Sequence, residues 1–344
     1  MSRSAIVGIL ATASALVAST AVAAARVPVT TAVVGSPAKR ALVRVDPRTL
    51  KPLRGFGKVR LPRGASFALS PNATRAGVST ATEVDIVDTA SGRVLRRIPN
   101  EGFDVSQGLY WVGSNAKPLI IAVGESKFGY EYTPLPSINV TTDTVLRPVA
   151  ALRGFLVLRD GTNLEFLSRA ETYVSLNAAP PGEPSIAADV VHNRVFVVYN
   201  AGVVAEVGER VTYHTVPLDG RDFYAIWAGH GQIALWGRDG LVIIDTRTWT
   251  TRALAPAATG AVATRYGLVT WNSTTITGVD VYAADGRRRL HVLRGVEVGN
   301  VIALSRYAYA RAKVGHFSID LKTGRVRRVR RDAELAVPTL VSIP

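Results

Sequence analysis

A chain of 344 residues that is 47% hydrophobic and 19% charged holds enough apolar material for a large core, which excludes a disordered polyelectrolyte. The absence of cysteine excludes a disulfide framework, thiolate metal centres, cysteine nucleophiles and a lipid-bearing cysteine. Lys and Arg outnumber Asp and Glu by 41 to 26, a formal charge of +15, so anionic surfaces are natural neighbours.

The N-terminus reads as a separate object. Arg3 supplies a positive start, residues 5–22 form an alanine-rich apolar run, and Ala21-Val22-Ala23 or Ala23-Ala24-Ala25 offers small-residue cleavage sites. That pattern predicts a secretory signal peptide over 1–25 and a single secreted or extracytoplasmic domain over 26–344. No later stretch has the apolar length of a membrane-spanning helix, and loss of Arg3 leaves a mature charge of about +14.

Beyond the leader one hairpin recurs. Residues 43–53, 84–98, 240–254 and 316–329 each read as a short β-branched run, a turn opened by an acid, and a more polar return strand. The turn acids Asp46, Asp88, Asp245 and Asp320 are spaced at near multiples of roughly 39 residues, and weaker copies turn near Thr142-Asp143, at Gly208-Glu209 and at Asp285-Gly286. One repeat, about residues 150–177, is faint. Between the hairpins lie pairs of apolar runs joined by small or polar turns: 67–72 with 76–79, 109–112 with 119–123, 185–193 with 195–199, 223–228 with 233–236, 261–265 with 268–271, and 301–306 with 308–313. Each repeat thus holds about four short strands, the inner two most apolar and the fourth most charged, a gradient from a central axis to a rim. Sustained helical spacing is absent, and 30 glycines with 18 prolines punctuate the chain.

Such a repeat, about 40 residues long, is the blade of a β-propeller. With the Ser70-Pro71-Asn72 turn and the Asp-turn-Gly-Arg hairpins at 87–93 and 319–325, the chain from about Val27 onward resembles the YVTN and WD-repeat-like propellers of bacteria. The resemblance implies architecture and leaves function open, because such blades host enzymes, receptors and scaffolds alike. The hairpin at 43–53 lacks an inner pair before it, and the apolar stretch 337–343 stands alone after the last hairpin. Together they predict one blade built from both termini. The expected fold is all-β, a β-propeller of four-stranded antiparallel blades closed by both ends, about eight by repeat count, or seven if the faint repeat is absorbed by its neighbours.

Residues that carry chemistry are sparse. The five histidines, His192, His214, His230, His291 and His316, stand singly and away from metal-ligand spacing, although His192 and His230 fall in inner turns able to converge on one mouth of a ring. Gly124-Glu-Ser126-Lys-Phe-Gly129 exceeds the spacing of a nucleophile elbow, and Gly229-His-Gly231-Gln-Ile-Ala234 precedes a strand where a dinucleotide fingerprint needs a helix. The Asp hairpins are similar to the docking motif of quinoprotein dehydrogenase propellers, which implies a closing tryptophan. Arg96 and Arg328 stand there instead, and Trp249 takes the place of Gly92 and Gly324. No catalytic residue, metal ligand or cofactor is therefore assigned, and no binding residue is singled out.

The strongest remaining signal is basic: Arg93, Arg96 and Arg97; Arg287, Arg288 and Arg289; Arg325, Arg327, Arg328, Arg330 and Arg331, all expected on fourth strands. They charge the rim against edge-to-edge pairing, or form a belt for an anionic polymer or lipid headgroups. Nucleic acid is not expected, since no aromatic row interleaves with these arginines. Tyr110, Trp111, Tyr224 and Trp227 read as packing between blades. The sequence predicts a monomeric, non-catalytic binding or protein-interaction scaffold for a protein or an anionic cell-envelope polymer, with ligands at the axial mouth. The alternative is a propeller enzyme of the lactonase or quinoprotein-like kind, which needs acids or histidines pointing into the axial channel.

Overall fold

Short β-branched runs cut by Gly, Pro and Asx turns leave strands as the natural element, and among the described residues every element is a strand. The structure is a computed structural model that describes residues 30–336 apart from 36–38, 81, 100–102, 115–116, 126, 128, 136–141, 145, 161–162, 168–170, 175, 177–183, 190–191, 209, 219–222, 238–239, 255–257, 273–276, 284 and 305. The strands form eight antiparallel sheets of four, so the fold is an eight-bladed β-propeller.

From axis to rim, blade 1 comprises Ala333–Leu335, Thr30–Val34, Arg40–Val45 and Lys58–Leu61, and blade 2 Phe67–Leu69, Arg75–Ser79, Glu83–Asp88 and Val94–Pro99. Blade 3 comprises Gly108–Trp111, Ile120–Glu125, Tyr130–Leu135 and Thr142–Thr144, and blade 4 Arg147–Leu152, Phe155–Asp160, Asn163–Leu167 and Glu171–Val174. Blade 5 runs Ser185–Asp189, Arg194–Tyr199, Val203–Val207 and Val211–Thr215; blade 6 runs Phe223–Gly229, Gln232–Gly237, Gly240–Asp245 and Thr251–Leu254. Blade 7 holds Gly260–Thr264, Gly267–Asn272, Gly278–Tyr282 and Arg288–Val292, and blade 8 Val298–Leu304, Tyr307–Ala312, Gly315–Asp320 and Val326–Val329.

Both termini close the ring, with Ala32 opposite Leu335 and Val34 opposite Ala333. The closing strand is Ala333–Leu335, just before the stretch 337–343 in which the sequence places it; that stretch lies outside the described residues. Thr30–Val34, to which sequence patterning assigns no strand, supplies the second strand of the same blade. The faint repeat is a complete blade 4, in agreement with the repeat count of eight, whereas one expectation is corrected: Thr142-Asp143 lies within the outer strand of blade 3, not at a turn. Neither 136–141 nor 168–170, which join the third and fourth strands of these blades, contains an acid to mark a turn in the sequence.

The burial gradient also differs from the expected one. Second and third strands are the most buried: all but the last residue of Ile120–Glu125 and every residue of Gly278–Tyr282 are buried. The innermost Gly108–Trp111 alternates, because it borders the axial channel, and the outer Val94–Pro99 is mostly exposed. The reason is geometric, since each apolar cluster lies between two neighbouring blades: Ile86 and Ile98 of blade 2 pack with Leu109, Trp111 and Ile120 of blade 3, and Val43 of blade 1 with Tyr309 of blade 8. Trp111 is fully buried and its indole N–H donates to the Gly113 carbonyl at 3.1 Å.

The turn acids have one geometry. The carbonyls of Asp46, Asp88, Asp245 and Asp320 accept from the amides of Leu50, Gly92, Trp249 and Gly324 at 2.8, 2.8, 2.8 and 2.7 Å. The same carboxylates accept from the amide two residues on, at Arg48, Ala90, Arg247 and Lys322. The turn closes through a left-handed residue, φ being 74° at Gly92, 72° at Gly324, 54° at Leu50 and 57° at Trp249. Glycine is the natural occupant, and Leu50 and Trp249 hold the conformation against steric cost.

Candidate functional site

In an antiparallel blade successive turns alternate between the two faces of the ring. Turns joining strands one to two and three to four therefore share a face, and the backbone ties them together. The Thr89 amide donates to the Thr74 carbonyl at 3.0 Å, the Thr246 amide to Gly231 at 2.9 Å and the Leu321 amide to Arg306 at 2.9 Å. In blades 2, 6 and 8 the residue after the turn acid thus clips the outer hairpin onto the inner turn, whereas Pro47, which follows Asp46, has no amide hydrogen to give.

On this face a cleft of about 680 Å³ crosses blades 5, 6 and 7. Its polar walls are His192, Arg194, His230, Arg247, Arg265 and Arg289, with Tyr266 between, and no carboxylate lines it among the described residues. The two histidines that fall in inner turns are thus brought together. His214, His291 and His316 are not: His214 stacks on Trp249 with ring centroids 3.5 Å apart, His291 Nδ1 lies 2.8 Å from Asp280, and His316 lies in the third strand of blade 8.

His192 is held from behind. Asp189, the last residue of its inner strand and 1% exposed, lies 2.7 Å from His192 Nδ1, whose side chain remains half-exposed. The carboxylate favours the proton on Nδ1 and leaves Nε2 as the free ring nitrogen. Arg194, opposite Asp189 in the sheet register, bonds Asp189 at 3.3 Å, pairs with Glu206, and sits 4.8 Å from the Phe196 ring centroid. Its charge is neutralised, so it forms a wall of the cleft.

The uncompensated cations lie opposite. Arg265 bonds the Tyr266 hydroxyl at 2.9 Å and covers its ring, while Arg289 donates to the Tyr266 carbonyl at 2.6 Å. Neither these two nor Arg247 meets a carboxylate within ion-pair distance among the described residues. Sequence reasoning places Arg289 in a basic run and Arg265 at a turn end. It misses Asp189, Arg194, Arg247 and Tyr266 as neighbours, and the Arg-Tyr pair at an inner turn is the one local signal available.

The arginine runs do not form one belt. Arg93, Arg287 and Arg325 occupy turns, and Arg330 and Arg331 follow the outer strand of blade 8, so the expectation that all lie on fourth strands is corrected. Arg97 approaches Glu83 and Asp85, Arg288 approaches Asp280, Arg328 donates to the Val314 carbonyl at 2.6 Å, and Arg330 pairs with Asp332. Three of these eleven arginines, Arg97, Arg288 and Arg330, therefore meet acids of the same molecule among the described residues.

The remaining motifs resolve simply. Gly229 and Gly231 flank a turn between strands, with no helix after them. Ser126 lies outside the described residues. The Trp227 ring faces His230 with centroids 6.5 Å apart, Tyr110 is half-buried on its inner strand, and Tyr224 lies on the inner strand of blade 6.

The fold and cleft define an eight-bladed propeller with a cationic site on one face. No protein-family model and no curated protein matches the chain. Solved structures share its architecture. The dihydro-heme d1 dehydrogenase NirN in complex with DHE is similar with a TM-score of 0.58 and 13% identity, over 90% of this chain and 74% of that one. A eukaryotic initiation factor gives 0.54 and 12%, over 90% and 85%, and BamB from Moraxella catarrhalis 0.51 and 10%, over 85% and 92%. At such identities the likeness is one of fold, and enzymes and non-enzymes share it.

Proposed function

We propose that this chain is an extracytoplasmic, non-catalytic binding propeller that takes an anionic group of a cell-envelope polymer or protein in the cleft across blades 5, 6 and 7. The observation carrying this reading is the set of Arg247, Arg265 and Arg289 facing one cavity with no carboxylate among the described residues of its walls. Guanidinium groups held at fixed points recognise carboxylate, sulfate and phosphate by paired N–H donors. Export rests on the leader pattern at 1–25.

Calorimetric titration with a heparin-derived tetrasaccharide, at low and high salt, tests the reading. Binding is expected to weaken with salt and to fall about tenfold in an Arg265→Gln/Arg289→Gln variant that melts like the parent. Equal affinity in the variant would sink the proposal. A hydrolytic reading has one observation in its favour, the Asp189–His192 pair. It requires a susceptible ester whose turnover disappears in His192→Gln while tetrasaccharide binding persists.

A further inference from the structure

The basic surface continues beyond blade 7. Tyr266, on the rim of the cleft, packs against the apolar cluster between blades 7 and 8 and lies within electrostatic reach of Arg306. Arg306 lines a second cleft of about 380 Å³ on the same face, at the seam of blades 8 and 1. Four arginines, Arg48, Arg306, Arg325 and Arg327, surround a single acid there, Asp320. Arg306 grips that acid through two bonds of 3.0 and 2.6 Å, and Arg48 Nε donates to the Tyr307 hydroxyl at 3.2 Å. Arg325 and Arg327 are exposed and meet no carboxylate among the described residues. Cationic positions therefore follow one another from blade 6, over Tyr266, to the start of blade 1.

We infer that the two clefts form one binding arc for an extended anionic polysaccharide, a strand carrying carboxylate, sulfate or phosphate groups at intervals, laid across the turn face. This rests on the proposed function of the first cleft and extends it to partner class and length. Three features select the occupant. The charges are spread over four blades, more than one small ligand can reach. The walls are mostly polar; the rings among the residues that line them are the imidazoles of His192 and His230 and the phenol of Tyr266 in the first cleft, and in the second only Tyr307, which is buried. A single-stranded nucleic acid needs a succession of exposed rings for its bases, which this surface does not offer. A sugar strand needs only spaced donors and cations, and engaging two sites through one chain raises affinity by effective concentration without new contacts.

Heparin-derived oligosaccharides of increasing length, from tetrasaccharide to one long enough to span both clefts, measure this directly on the full-length protein. Affinity is expected to rise about 100-fold over that series, with a steeper salt dependence for the longest member. Arg325→Gln/Arg327→Gln should remove most of that gain and leave tetrasaccharide binding unchanged, because both side chains are exposed and unbonded to acids. Arg63→Gln/Arg294→Gln, an equal loss of charge at turns of the opposite face, should leave the whole series unchanged. A flat length dependence with intact tetrasaccharide binding overturns the arc while the first cleft stands. Equal losses from the two double variants would show net charge alone at work and overturn it too. So would a single-stranded oligonucleotide of matched charge binding as tightly as the longest sugar.

Discussion

The Tyr309 hydroxyl donates to the Pro47 carbonyl at 2.7 Å, joining residues 262 apart in sequence across the seam of blades 8 and 1. Ser318 Oγ donates to the same carbonyl at 3.2 Å. Burial, with lesser contributions from Tyr307 and Asp46, pushes the Tyr309 phenol well above its ordinary range, so it stays a neutral donor at any working pH. The turn that opens the N-terminal hairpin is thereby fastened to the last blade by side chains, beside the strand pairing of Ala32 with Leu335.

Tyr309→Phe should cost about 1 kcal/mol, the net value of one buried hydrogen bond, with Ser318 left as donor. Adding Ser318→Ala strips both of those donors from the Pro47 carbonyl, and the double variant should lose about 2–3 kcal/mol, more than the two single losses combined. Urea denaturation of the four proteins measures the coupling.

Removal of residues 333–344 should be more damaging. It withdraws Ala333 and Leu335 from the cluster between blades 8 and 1 and bares the edge of Thr30–Val34. A loss of at least about 3 kcal/mol is expected from the leucine alone. An uncovered edge of apolar strand also favours self-association. Thermal melting with light scattering checks both, and a truncated protein that melts like the parent would rule out ring closure by this strand.

Trp249 holds a left-handed conformation that costs a non-glycine residue about 1–2 kcal/mol. Its ring stacks on His214 and meets Phe196 edge-on at 6.2 Å. Trp249→Gly relieves the backbone but deletes that packing, and the larger loss should win by about 1–2 kcal/mol, since truncating a packed tryptophan costs about 3 kcal/mol or more. Leu50→Gly makes the same exchange with a smaller side chain, so its net loss should be smaller. A stabilised Trp249→Gly protein would show that the turn, not the ring, sets the energy there.

Bonds from the Ser91 amide and hydroxyl hold the Asp88 carboxyl below its ordinary value, and the Arg306 guanidinium does the same for Asp320. A carboxylate with a depressed folded-state pKa contributes stability that is complete above its unfolded value, about 4, and is lost as pH falls through the folded value. Melting temperature should therefore drop below about pH 4. Asp88→Asn should be less stable than the parent at pH 6, and the gap should close as the pH is lowered, which a series of melts between the two conditions measures.

If the leader is cleaved as its pattern indicates, exported protein should begin between Ala24 and Arg26, as read by mass spectrometry. An intact Met1 in the exported fraction would refute it.

The sequence by itself determined the blade. Asp at a fixed place before a left-handed residue dictates the outer turn, because its carboxylate caps the next amides and Gly, Leu or Trp must then take a positive φ. Alternating and continuous β-branched runs do the same for the strands, since their period and length are local properties. Blade 4 reads faintly and Thr30–Val34 escaped because neither carries that turn signal. Only the tertiary structure decided the number of blades, the strand that closes the ring, and which turns meet. His192 and His230 lie 38 residues apart in numbering, and Arg265 and Arg289 follow His230 by 35 and 59 residues. Nothing local marks them as neighbours, because a cleft shared by blades 5, 6 and 7 exists only once interblade packing has fixed each sheet against the next.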